Sequence, residues 1–135
     1  MHTRHGGRVL VIDDCVDAAD ALVLRLRAGG LGAMARYTAD AGWQAAQAWR
    51  PRVVVIEPAI RGASLDGLQL ARLLGQQPDA DWWLVALGAS PRSRDRDGAL
   101  DAGFDAYLVK ADMQLDLVER IRAWMTTPRP VMRMP

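Results

Sequence analysis

Cysteine is nearly absent from this chain: Cys15 is the single one in 135 residues. One thiol cannot close an intramolecular disulfide, nor can it supply a Cys-rich metal centre. A reducing, cytoplasmic setting is the expectation. Excess charge of either sign is also lacking, since 17 basic and 16 acidic residues leave a formal net charge of +1. That balance gives no electrostatic reason to expect nucleic acid or a membrane surface as partner. No apolar run approaches the roughly 20 residues of a membrane span. Residues 1–7 are polar and Gly-containing, with no signal-peptide hydrophobic stretch behind them, and read as a flexible lead. His2 and His5 fall in that lead without partners, so no metal role is assigned to them. What the chain does have is apolar content. Half of it is hydrophobic, enough for the core of one domain, expected over residues 8–125.

Short apolar runs alternate with helix-like stretches. RVLVI at 8–12 is too short and too β-branched for a helix. Residues 17–28 then carry Ala18, Leu22 and Leu26 at helical spacing, ended by Gly29, Gly30 and Gly32. A second strand is predicted over 33–37 and a helix over 39–49, with Thr38 as N-cap and Pro51 as stop. VVVI at 53–56 reads as a buried strand, and 65–74 as a helix with Leu68, Ala71 and Leu74 on one face. WLVAL at 83–87, a weaker helix over 92–102 interrupted by Gly98, AYLV at 106–109, and a helix capped by Asp112 and running through Trp124 complete the pattern. Leu117, Ile121 and Trp124 should face inward there. Five strands that are apolar throughout imply a parallel sheet covered on both faces. Right-handed crossovers make it a doubly wound α/β fold. Residues 126–135 contain three of the seven prolines and are expected to be a tail too short for a further domain.

In doubly wound sheets the ligand site lies at the carboxyl ends of the strands. Asp13 and Asp14 follow the first strand, Glu57 the third, Gly88 the fourth and Lys110 the fifth. Taken singly, the aspartates could be helix caps, Glu57 a loop acid and Lys110 a surface lysine. Their equivalent positions favour one shared acidic pocket. Clustered carboxylates are hard ligands suited to Mg²⁺. They also repel one another, so a cation or Lys110 is needed to hold them together.

These residues resemble the receiver domain of two-component response regulators, the CheY-like fold. The resemblance rests on VLVIDD at 9–14, Asp66-Gly67, Ala102-Gly103-Phe104-Asp105, and Tyr107-Leu108-Val109-Lys110, in that order. It covers residue 8 to about 124 and implies a five-stranded sheet of order 2-1-3-4-5. It also implies that Asp13 and Asp14 bind Mg²⁺, that the residue ending the third strand accepts a phosphoryl group from a histidine kinase, and that a hydroxyl residue ending the fourth strand and Lys110 contact that group. Tyr107 matches the aromatic that changes rotamer in response. Four departures follow. Glu57 stands where the family has its acceptor aspartate, Gly88 where it has Thr or Ser, and Ala111 where proline is usual; the loop after Glu57, with Pro58 at its start and Arg61 in it, is about two residues longer. The expected consequence is a non-enzymatic, phosphorylation-independent module for protein–protein interaction. The alternative is a receiver still accepting phosphate at Glu57 or Asp14. Weak Mg²⁺ binding by Asp13, Asp14 and Glu57 is anticipated, with no cofactor required, and Glu57 is expected to reach Lys110. A flavodoxin-like cofactor binder is disfavoured, because acids stand where a phosphate-binding loop would be. By family analogy the partner is a histidine kinase or another signalling protein, met through the fourth helix, fifth strand and fifth helix, or a second copy of the chain. Tyr107 is expected to be static, Cys15 packed and unreactive, and Trp43, Trp49 and Trp83 core. Trp82 is a candidate exposed contact, with edge packing an equal alternative. Arg92, Arg94 and Arg96 should form a solvated helix face.

Overall fold

The computed structural model describes residues 7–112 and 116–129. Expectations for His2, His5 and the segment beyond Arg129 lie outside the described residues. Five strands run parallel: β1 (Arg8–Ile12), β2 (Gly32–Arg36), β3 (Val53–Ile56), β4 (Trp83–Gly88) and β5 (Ala106–Val109). They lie in the order β2-β1-β3-β4-β5, as anticipated for the doubly wound fold. The crossovers are α1 (Val16–Ala28), α2 (Ala39–Trp49), α3 (Gly67–Gly75), α4 (Ser93–Asp101) and α5 (Leu117–Thr126).

Strand alternation divides the core into two layers. Leu10, Ile12, Val54, Ile56, Leu84 and Ala86 face one way and pack with Ala46 of α2, Leu70 and Leu74 of α3, and Phe104. Val9, Val11, Val53, Val55, Val85 and Leu87 face the other way and meet Leu22 and Leu26 of α1, with Leu117 and Ile121 of α5. Helices therefore cover both faces of the sheet.

Several local readings need correction. Helix α3 starts at Gly67, not Leu65, because Asp66 is its N-cap: its carboxylate accepts from the Gln69 N–H while the Gln69 side chain accepts from the Asp66 N–H. Glycine is required at 67, where a Cβ would stand 2.6 Å from the Pro58 carbonyl oxygen and 2.8 Å from that of Glu57. Helix α5 begins at Leu117 with Asp116 at its N-cap, not at Asp112; Lys110–Asp112 form a 3₁₀ turn instead. Strand β2 begins one residue earlier than expected, at Gly32, and β4 runs one further, to Gly88. Trp82 is no surface contact: it is 1% exposed, and its indole N–H donates to the Leu74 carbonyl at 3.1 Å. A tryptophan can be buried whole where its N–H finds a partner. Trp83, by contrast, is half-buried against α5. Ala18 is partly exposed, and Ala19 takes the inner position on α1.

Candidate functional site at the carboxyl rim of the sheet

Register brings the acidic residues together. Val11 pairs with Val55 and Ile12 with Ile56, so the residues that follow β1 and β3 leave the sheet side by side. The backbone keeps them level: the Glu57 N–H donates to the Ile12 carbonyl at 2.9 Å, and the Asp13 N–H to that of Arg36 at 3.1 Å. Asp13 and Glu57 are both buried, at 6% and 8% exposure. Buried carboxylates must be paired. Lys110, entering from the end of β5, places Nζ 2.8 Å from Asp13 Oδ2 and 3.1 Å from Glu57 Oε1. The outer oxygens are satisfied locally. Asp13 Oδ1 accepts from the Cys15 N–H and Glu57 Oε2 from the Ala59 N–H, each at 2.9 Å. The ammonium thus sits between two carboxylates, each also held by a backbone N–H. Burial works to lower the Lys110 pKa, but the hydrogen bonds and charges of Asp13 and Glu57 outweigh it and hold it above its ordinary 10.5.

Asp14 does not join them. It is exposed and makes none of these contacts. Among the described residues no three His, Cys, Asp or Glu side chains converge so as to hold a metal ion. The anticipated set of Asp13, Asp14 and Glu57 is therefore not assembled as a three-carboxylate site, and the inward oxygens of two of them are taken by Lys110. Cys15 is exposed rather than packed, at the N-cap of α1.

The second half of the site lies at the ends of β4 and β5. Ala86 pairs with Tyr107 and Gly88 with Val109. The Tyr107 ring lies over Gly88: a Cβ added there would stand 2.8 Å from the phenolic oxygen, 3.3 Å from Cζ, and 3.4 Å from Pro58 Cγ. The ring occupies the place a side chain at 88 would need. Its hydroxyl donates to the Ser90 carbonyl at 2.6 Å. Ser90 Oγ in turn donates to Asp95 Oδ2 at 2.5 Å and accepts from the Arg92 N–H at 3.2 Å. Burial, then the charges of Asp95 and Glu57, push the Tyr107 phenol above its ordinary 10.0, against the opposing effect of the Ser90 contact. The link of Ser90 and Asp95 to Tyr107 is not anticipated from the sequence. Their part depends on how the loop from β4 folds back over Tyr107, and no local pattern signals that. Arg92, Arg94 and Arg96 are exposed, as a solvated face should be.

The fold is the doubly wound, CheY-like one. No family model matches the chain. Among curated proteins, the transcriptional regulatory protein PrrA of Mycobacterium tuberculosis is 33% identical over 116 residues, which cover 86% of this chain and 48% of that protein. Among solved structures, the receiver domain of NtrX from Brucella abortus superposes with a TM-score of 0.75 at 25% identity, covering 88% of this chain and 99% of that one. The receiver domain of sensor histidine kinase PA1611 from Pseudomonas aeruginosa, which carries magnesium in its active-site cleft, gives 0.79 at 21% identity, covering 90% and 99%. Fold and sequence similarity together support a response-regulator receiver domain of the CheY-like class. It spans about half the length of the curated relatives it matches. Among the described residues no helix is long and apolar enough to cross a membrane.

Proposed function

We propose that this receiver is an atypical one that engages protein partners without being phosphorylated, and that it is not itself an enzyme. The observation that carries the reading is the Tyr107 ring lying over Gly88. In the family mechanism implied by the resemblance, a hydroxyl side chain at this strand end moves toward the phosphoryl group and the aromatic fills the space it leaves. Glycine has no side chain to move, and here the ring already fills the space. A ligand shifts an equilibrium only by its differential affinity for the two states. Without that coupling element, a phosphoryl group at Glu57 has little hold on Tyr107.

Two features of the acidic pocket point the same way. Glu57 is one methylene longer than aspartate, and a misplacement of about 1 Å can cost on the order of a hundredfold in rate. Gly88 offers no side-chain donor to a transferring phosphoryl oxygen. Nor do the residues, as arranged, fit Mg²⁺ well: the ion prefers near-octahedral oxygen ligands, whereas Lys110 stands between Asp13 and Glu57. No metal is required by this reading. The partner is a histidine kinase or another signalling protein, or a second copy, met on the side formed by α4, β5 and α5. That assignment is by family analogy.

Incubation with acetyl phosphate and Mg²⁺, followed by intact mass, tests the reading. The wild-type chain should carry no phosphoryl adduct, and Glu57→Asp with Gly88→Thr should accept phosphate better than either single change. Efficient phosphorylation of the wild type, at Glu57 or Asp14, would replace this reading with that of a working phosphoacceptor.

A further inference from the structure

The pole of the sheet opposite the acidic site carries a second built feature. Just after α5, residues 127–129 cross the amino-terminal ends of β3, β4 and β5, held by a group from each. Arg52, just before β3, donates to the Thr127 carbonyl. The Trp83 indole N–H, from the start of β4, donates to the same oxygen at 3.1 Å. Arg129 pairs with Asp105, just before β5, at 2.7 Å, and the two side chains are only 10% and 16% exposed. The Arg129 guanidinium also lies 4.5 Å from the Trp83 ring centroid. These anchors are themselves fixed: Arg52 donates to the Asp81 carbonyl at 2.7 Å, and Asp105 Oδ2 accepts from the Leu84 N–H at 2.8 Å. Pro128 restricts the backbone between the two attachment points.

We infer that residues 127–129 act as a latch that fixes the carboxyl end of α5 on the sheet, so that α5 cannot shift while the latch is closed. The hold falls on the half of α5 that buries least. The helix's fully buried side chains are Leu117 and Ile121, in its first half. In its second half Trp124 meets Trp83 at 6.4 Å between ring centroids, and Trp83 is the residue the latch engages. Opening the latch would therefore loosen the indole pair and the last turn together. Nearly buried and stacked, the Arg129–Asp105 pair is better placed to hold than an exposed ion pair, most of which contribute little. With α5 tied at this pole, movement on the α4–β5–α5 side falls to α4, which buries only Ala99.

Hydrogen exchange on the full chain tests the latch. Arg129→Ala should speed exchange of the α5 amides on the order of tenfold, while β1 and β3 amides keep their wild-type protection. Arg129→Lys retains the charge opposite Asp105 but loses the planar stack on Trp83, and should fall between. Unchanged α5 protection in Arg129→Ala would overturn the inference. So would equal acceleration in every element, which would reduce Arg129 to a contribution to global stability.

Discussion

At the scale of single residues, the two positions that matter most owe their character to a neighbour. Gly88 is defined by Tyr107: with 2.8 Å between a would-be Cβ and the phenolic oxygen, even alanine forces the ring to give way. Gly88→Thr should therefore swing Tyr107 outward and break its hydrogen bond to Ser90, read as a change in the Tyr107 ring resonances. Unchanged resonances would mean the ring and a side chain can coexist there. Lys110 is defined by Asp13 and Glu57, which raise its pKa above 10.5 despite its burial. A raised folded pKa contributes stability that is complete below the unfolded value and is lost as pH climbs through the folded one. Lys110→Met should thus cost stability at pH 8, and the gap from wild type should narrow at a pH well above the ordinary 10.5, as Lys110 discharges. Urea unfolding at both pH values checks this. A gap that persists undiminished would mean that the lysine acts through packing rather than charge.

At the scale of elements, helices of similar length rest on different foundations. Helix α2 packs its small residues tightly on the sheet, and a Cβ at Gly42 would stand 2.5 Å from Ile12 Cδ1. Helix α4 buries Ala99 alone, and a Cβ at Gly98 would meet nothing within 4 Å. Glycine in an exposed helix interior costs roughly 0.5–1 kcal/mol relative to alanine, whereas overpacking a core typically costs about 1–3 kcal/mol. Gly98→Ala should stabilise the protein by the first amount and Gly42→Ala destabilise it by the second, in denaturant unfolding. If both changes had the same sign, the contrast drawn between the two helices would be wrong. The weak attachment of α4 also makes it the element expected to exchange amide protons fastest on its side of the sheet.

At the scale of the whole molecule, two poles of one sheet carry opposite devices. The carboxyl rim holds two buried carboxylates around one ammonium, with Tyr107 seated over Gly88; the amino pole holds the α5 latch. If partner binding is indeed independent of phosphorylation, acetyl phosphate with Mg²⁺ should leave the exchange pattern of α4, β5 and α5 unaltered, and self-association by sedimentation unchanged. A tenfold shift in either, about 1.4 kcal/mol of coupling, would sink that proposal. The sequence by itself determined the sheet and its crossovers, because strands buried on both faces are written as unbroken apolar runs and β1, β3 and β5 have sharp polar or proline boundaries. It also placed Asp13, Glu57 and Lys110 on one rim, since strand ends in a parallel sheet are level. What it could not determine was anything set by side-chain direction or by contact across the fold. Asp14 turned outward, Trp82 inward, and the start of α3 was decided by a reciprocal cap at Asp66. The seating of Tyr107 over Gly88, and the hold of Arg129 on Trp83 and Asp105, join residues 19 and 46 or fewer positions apart that only the tertiary structure brings into contact. Periodicity reports which face of an element is buried, but not which atoms meet there.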